Sequence, residues 1–232
     1  MEIRVIRVIR VIRVLLKNCC RVRCEMLSDP YSNPDAAGPA SLAAAVIAGG
    51  KSSRFGSSKA LAELEGRRLI EHALALAAAI APRVILNYGA LNPWPEAPVP
   101  AVADSYPGCG PMGGILAVLA SAPATYIATL PCDMPLLTPE IYQALFRLRA
   151  PERPVVARSH RGLEPLVAIW PATLAEPLQE ALEARQYALQ RFLKSINALE
   201  VPLLEIITDY QPNWFANINR PEDLEAVRKG LK

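Results

Sequence analysis

Histidine is scarce in this chain: His72 and His160 are the only two among 232 residues. Neither has a catalytic partner nearby in sequence, so chemistry centred on an imidazole is not expected. Aromatic residues make up only 6% of the chain. Trp94, Trp170 and Trp214 are therefore expected to pack in the interior, not to form a stacking platform. No run reaches about eighteen uninterrupted apolar residues, which argues against a transmembrane helix and a membrane partner. An even set of cysteines is also missing. Five are present, three of them (Cys19, Cys20, Cys24) near the start and two (Cys109, Cys132) in the body. An odd count fits a reducing cytoplasm better than a secreted disulfide framework. The three early thiols are unusually spaced and have no histidine beside them, so they do not suggest a zinc site.

A one-sided basic surface is lacking too, despite a net charge of +3. Residues 1–25 hold seven basic side chains and two acids, so that segment is +5 and the remainder −2. A slightly acidic body is not the footprint of a nucleic-acid binder. With 52% hydrophobic and 20% charged residues, the body can bury a substantial core.

Arg4 to Arg13 repeat with a period of three, which suits neither a strand nor a helix. The arginines also interrupt any secretory apolar run. This stretch is expected to be a disordered extension or an upstream translation artefact, with Met26 as the start. Intact mass of native protein beginning at Met1 would refute the artefact. Asp29 to Ser41, rich in proline and small polar residues, reads as a linker. The expected organisation is an extension and linker over 1–40 and one domain over 41–232.

Apolar runs and helical patterns then alternate. Strands are expected at Leu42–Ala48, Val84–Asn87, Pro100–Ala103, Tyr126–Leu130, Val155–Arg158 and Leu166–Trp170. Helices are expected at Leu69–Ala81, Gly113–Ser121, Pro139–Leu148, Pro171–Ala184, Tyr187–Ile196 and Pro221–Leu231. Thr138 is placed as an N-cap and Pro139 at the first helical position. The alternation predicts an α/β fold: a single doubly wound, mostly parallel, Rossmann-like sheet with helices on both faces. Ligands on such sheets bind beyond the carboxyl ends of the strands.

Four segments carry the chemistry. The first is Ala48-Gly49-Gly50-Lys51-Ser52-Ser53-Arg54-Phe55-Gly56-Ser57-Ser58-Lys59, directly after the first strand. Its glycines allow close backbone approach to an anion, and Arg54 and Lys59 add charge. It is not a P-loop, because Ala45 stands where the first glycine should be, and Lys51 breaks the dinucleotide fingerprint. The second is Leu130-Pro131-Cys132-Asp133-Met134-Pro135. There an acid at the end of a buried strand could hold Mg²⁺, which prefers one or two carboxylates plus phosphate oxygens. The third is the glycine- and proline-rich loop Asp104 to Gly114. The fourth is Asn217-Ile218-Asn219-Arg220-Pro221-Glu222-Asp223-Leu224. Alternation there puts Asn217 and Asn219 on one face.

Together, and with Asn87 after the second strand, these segments resemble the molybdenum cofactor guanylyltransferases (MobA-type). The resemblance runs from about Leu42 to Leu231. The Gly49-Gly50 pair and Gly110-Pro111-Met112-Gly113-Gly114 look more like guanylyl than cytidylyl enzymes. The resemblance implies GMP transfer from GTP to the phosphate of molybdopterin cofactor, with Mg²⁺ as cofactor and release of pyrophosphate. It also implies molybdoenzymes or other cofactor-biosynthesis proteins as further partners.

Residue by residue, the resemblance implies that Ile47, Ala48 and Gly49 line the nucleotide site. Lys59 contacts the GTP phosphates, and Asn87 and Asp104 contact the guanosine. Asp133 binds Mg²⁺ and nucleotide. Arg54, Lys59 and Asp133 carry catalysis, and Asn217 and Asn219 face metal or pterin. The chain departs from the family at Phe55 (usually Met), Ser58 (usually Asp) and Arg220 (usually Thr). The last is expected to cost a helix cap of about 1 kcal/mol. Rival readings are a cytidylyl- or sugar-phosphate nucleotidylyltransferase and a catalytically silent nucleotide-binding homologue.

Overall fold

A computed structural model describes residues 42–49, 59–90, 92 and 94–230. The expected extension and linker, Gly50 to Ser58 of the glycine loop, and the whole contribution of Arg54, Phe55 and Ser58 lie outside the described residues.

Seven strands form one sheet: β1 (Leu42–Ile47), β4 (Arg83–Asn87), β5 (Ala101–Val102), β6 (Tyr126–Pro131), β7 (Val155–Ser159), β8 (Gly162–Pro171) and β9 (Leu199–Pro202), in the order β5-β4-β1-β6-β8-β7-β9. β5, β4, β1 and β6 are mutually parallel. β8 runs antiparallel to both β6 and β7, and β9 returns parallel to β7. The sheet is thus mostly parallel, as the alternation predicts.

β1 shows why it is central. All six of its side chains, Leu-Ala-Ala-Ala-Val-Ile, are buried, as expected of a strand covered on both faces. Leu42, Ala44 and Val46 share one core with Ile70, Ala73 and Ala77 of helix α1 (Leu69–Ile80) and Ile141 and Leu145 of α3 (Pro139–Arg147). Ala43, Ala45 and Ile47 belong to a second core. It includes α2 (Pro111–Ser121), α4 (Ala175–Glu183) and α5 (Leu189–Ser195), through Met112, Ile115, Leu178 and Phe192. The period of two along β1 separates the two helical layers.

From β1 the chain winds outward through α1 to β4 and β5. It then crosses by α2 to β6 on the other side of β1. The strand order therefore reverses between β1 and β6, and a ligand crevice is expected at the carboxyl ends of that pair.

Several boundaries move. Pro171 does not begin a helix but pairs with Tyr126 as the last residue of β8. A short 3-10 turn at Ala172–Leu174 then precedes α4. α2 starts at Pro111, two residues before its expected start. Leu189, not Tyr187, opens α5. Thr138 stands at the N-cap position, but its hydroxyl is buried without a hydrogen-bond partner.

Three elements lie where none was expected: the hairpin β2 (Glu63–Leu64) and β3 (Arg67–Arg68), strand β9, and the one-turn helix α6 (Leu203–Ile206). The hairpin had a signal. Glu65 and Gly66 both take positive φ, 49° and 74°, and a two-residue turn of that kind favours glycine at its second position. The last helix, α7 (Pro221–Gly230), packs toward this hairpin through a small third cluster of Leu64, Leu69, Ile218 and Val227. Trp170 is fully buried and donates its ring N–H to Thr129 Oγ1 at 3.2 Å. It is a packing residue, as expected. Among the described residues, no helix is long and apolar enough to cross a membrane.

Candidate active site

The carboxyl ends of β1 and β6 lie side by side. Ile47 pairs with Pro131, and the Cys132 N–H donates to the Ile47 carbonyl at 3.4 Å. The nominated Ile47, Ala48 and Gly49 therefore open directly onto the segment that carries Asp133. Ile47 is buried and Gly49 exposed, so the chain surfaces there, at the edge of the switch point. Gly49 is packed tightly as well. A Cβ on it would come within 3.0 Å of the Gly89 Cα.

Lys59 resumes the described chain in a 3-10 turn, Lys59–Leu61. Its Nζ donates to Asp133 Oδ2 at 2.7 Å and to Asn219 Oδ1 at 2.8 Å. The side chains of Lys59 and Asp133 are 15% and 24% exposed. The pair is thus sheltered enough to be poorly screened yet open enough to meet a solute. The Asp133 carbonyl accepts the Ile218 N–H at 2.9 Å, which lashes the Asn217–Asn219 segment to the end of β6. Three of the four segments singled out in the sequence therefore converge here. Asn217 has its Oδ1 buried without a hydrogen-bond partner.

A second constellation stands at the ends of β4 and β5. Asn87 is wholly buried, and its amide donates to Asp104 Oδ1 at 3.0 Å and to the Val102 carbonyl at 3.3 Å. The Asp104 N–H donates to the Gly89 carbonyl at 2.9 Å. Asn87 Oδ1 has no hydrogen-bond partner and lies over the first turn of α2. There a Cβ on Gly114 would fall 2.4 Å from it and 3.2 Å from Asp104 Oδ1. Gly114 is the space that lets this amide and carboxylate enter the helix start. Asn87 is shut away from solvent, whereas its partner Asp104 is half-buried and partly open to it.

Other groups play local parts. Burial first, and then the neighbouring Asp133 charge, push the Cys132 thiol up to about 12, so at neutral pH it is a protonated packing group and not a nucleophile. Tyr106, in the loop before α2, donates its hydroxyl to Glu183 at 3.0 Å and fastens that loop to α4. The Glu183 carboxyl is held below its ordinary range by the Gln179 hydrogen bond and then by that of Tyr106. His72 contacts the Leu64 carbonyl through Nε2 at 2.9 Å, and His160 contacts the Tyr210 hydroxyl through Nδ1 at 3.0 Å. Both contacts lie outside the two constellations.

One feature of the site was missed from sequence. The carboxylate of Asp223 accepts the N–H groups of Asn219 and Arg220 at 2.7 and 2.8 Å. It supplies the cap that Arg220 cannot. An acid two residues after the first helical proline is the signal that marks it.

Comparison with known proteins agrees with this geometry. Residues 44–200 match the family described as the MobA-like NTP transferase domain. A probable molybdenum cofactor guanylyltransferase from Chloroflexus aggregans is 30% identical over 194 residues, covering 80% of this chain and 93% of that protein. One from Opitutus terrae is 32% identical over 198 residues, covering 83% and 98%. Among solved structures, molybdopterin-guanine dinucleotide biosynthesis protein A from Archaeoglobus fulgidus superposes with a TM-score of 0.69 at 23% identity, covering 81% of this chain and 97% of that one. Matches of this length and level show the family: the chain belongs to the MobA-like NTP transferases, the family of the molybdenum cofactor guanylyltransferases.

Proposed function

We infer that the protein transfers GMP from GTP to the terminal phosphate of molybdopterin cofactor and releases pyrophosphate. The observation that carries this reading is the position of Lys59. Its ammonium is held between the Asp133 carboxylate and the Asn219 amide oxygen, at the point where a nucleotide enters a doubly wound sheet.

The reaction forms one bond and breaks one. A phosphate oxygen of the acceptor attacks the α-phosphorus of GTP, and the bond from that phosphorus to the bridging oxygen breaks. Pyrophosphate leaves with the electron pair. The attacking phosphate is already an anion, so no general base is needed. Positioning and charge neutralisation carry the rate. Lys59 meets the phosphates as a point charge, and Arg54 is proposed to add a guanidinium fork from the adjoining loop. Ile47, Ala48 and Gly49 offer backbone at the end of β1. Asp104, steadied by Asn87, faces the guanosine, and Asn217 and Asn219 line the acceptor side.

The donors present fit Mg²⁺. The Asp133 carboxylate and the Asn219 amide oxygen are hard oxygens, and both already face a cation, the Lys59 ammonium. Among the described residues, no three His, Cys, Asp or Glu side chains group into a metal cage. Asp133 would therefore hold the ion together with substrate oxygens, as Mg²⁺ prefers. When bound, Mg²⁺ supplies charge neutralisation at the phosphates.

Equilibrium competition tests the nucleotide. GTP is expected to displace a labelled GTP analogue at far lower concentration than CTP or UTP. Equal displacement by CTP would favour a cytidylyl enzyme of the same fold.

A further inference from the structure

The family match ends at residue 200, yet one partner of Lys59 lies beyond it. That partner, Asn219, sits on a short segment pinned at three successive residues. The Ile218 N–H donates to the Asp133 carbonyl, and the Asn219 and Arg220 N–H groups both donate to Asp223 Oδ2. A carboxylate at the third position of a helix reaching back to the N–H groups ahead of it is an ordinary cap. Here one of those N–H groups belongs to Asn219, the residue that touches the site lysine, and the other to its neighbour Arg220.

The surroundings make the clamp stiff. Ile218 is fully buried with Leu64, Leu69 and Val227. Arg228 of α7 donates Nη2 to the Glu63 carbonyl at 2.8 Å. α7 is thereby fastened to the β2–β3 hairpin, which follows Lys59 almost immediately in the chain. One patch of structure carries both ends of the Lys59–Asn219 bond, and Asp223 is its acidic pin. An ammonium has three N–H donors. Bonds to Asp133 and Asn219 hold this ammonium in one orientation.

We propose that Asp223 is a positioning residue for nucleotidyl transfer: it clamps the backbone of Asn219 and Arg220, and so sets the Asn219 amide that orients Lys59 beside Asp133. The proposal rests on the functional reading above.

Its test is a double-mutant cycle on the full chain. Pyrophosphate release is followed with GTP, Mg²⁺ and molybdopterin for wild type, Asp223→Ala, Asn219→Ala and the double variant. Misplacing a catalytic group by a fraction of its reach costs on the order of ten- to a hundredfold. Asp223→Ala is expected to lose that much in kcat, with a smaller change in the KM for GTP. The double variant is expected to be no slower than Asn219→Ala alone, because Asp223 acts through Asn219. Losses that multiply in the double variant would overturn the proposal, as would full activity of Asp223→Ala.

Two further variants separate positioning from capping. Glu222→Ala removes the neighbouring first-turn acid and is expected to keep the wild-type rate. Asp223→Glu keeps a helix cap, since glutamate is favoured at this position, but moves the carboxylate by one methylene. It is expected to fold as wild type and to lose kcat, and wild-type kcat would again overturn the proposal. If Asp223→Ala does not fold, the same cycle is run with Asp223→Glu. A wild-type chain that releases no pyrophosphate strikes the functional reading itself. An active wild type with multiplying losses strikes only the role of Asp223.

Discussion

On the β4 side of the site, Asn87 is wholly buried and bonds Asp104 across 17 residues of chain. On the β6 side, the largely sheltered Lys59 reaches Asp133 across 74 residues and Asn219 across 160. The first constellation is built by packing. Its amide sits in a niche that exists because Gly114 has no side chain, and its geometry is fixed before any ligand arrives. The second is built by charge at the mouth of the crevice, from three separate stretches of chain. Packing suits recognition of a base and ribose, which must be held in one orientation. Charge suits phosphates, whose distribution changes during transfer. The two sides should therefore fail differently when altered.

The largest effect is expected on the charged side. Asp133→Ala and Lys59→Ala should each abolish measurable turnover, a loss on the order of 10²–10³-fold or more in kcat. Thermal stability should change little, because the pair is partly solvated. Near-normal pyrophosphate release by either variant would remove the proposed mechanism. The packed side should show the reverse balance. Gly114→Ala places a Cβ 2.4 Å from Asn87 Oδ1, and overpacking of this kind costs about 1–3 kcal/mol. Calorimetry should show a lower Tm, and kinetics a raised KM for GTP with a smaller change in kcat. A Gly114→Ala protein of unchanged Tm would show that the niche is looser than described.

Smaller effects are expected just outside both constellations. The Cys132 thiol, pushed up to about 12 by burial and by Asp133, stays protonated at about pH 8 and should resist alkylation in the folded protein. Peptide mapping after iodoacetamide checks this, and rapid labelling of Cys132 with loss of activity would contradict it. The smallest effect concerns Glu183. Its folded-state pKa lies below its unfolded value. Its contribution to stability is therefore present above the unfolded value and is lost as pH falls through the folded one. Tyr106→Phe, which deletes one of the two hydrogen bonds responsible, should flatten that acid limb slightly in denaturation measured across acidic pH. An unchanged limb would assign the shift to Gln179 alone.

How much of this was legible depends on what each residue depends on. β1 and β6 could be read because a strand covered on both faces must be apolar along its whole length, and both strands are buried throughout. The alternation of elements gave a doubly wound sheet, but the reversal of strand order between β1 and β6 is visible only in the structure. β2, β3 and β9 could not be read, since two to four residues carry too little periodicity. Asp133 stood out because an acid ends an apolar strand. The meeting of Lys59 with Asn219 had no local signal: family resemblance put both at the site, but only the structure pairs them. The burial of Asn87 was hidden as well. Asparagine usually marks turns, and the niche that holds Asn87 is made by a glycine on a different element. The clamp by Asp223 was not read: an acid two residues after the first helical proline signals a local cap, but that the capped segment touches Lys59 is a tertiary fact.

The central claim is that this crevice joins GMP to a pterin phosphate. Its most direct test is pyrophosphate release by the purified protein with Mg²⁺ and each nucleoside triphosphate, with and without molybdopterin cofactor. Release that requires both GTP and the pterin acceptor is the predicted result. Release with CTP in preference to GTP, or tight GTP binding with no release in the presence of acceptor, would contradict it.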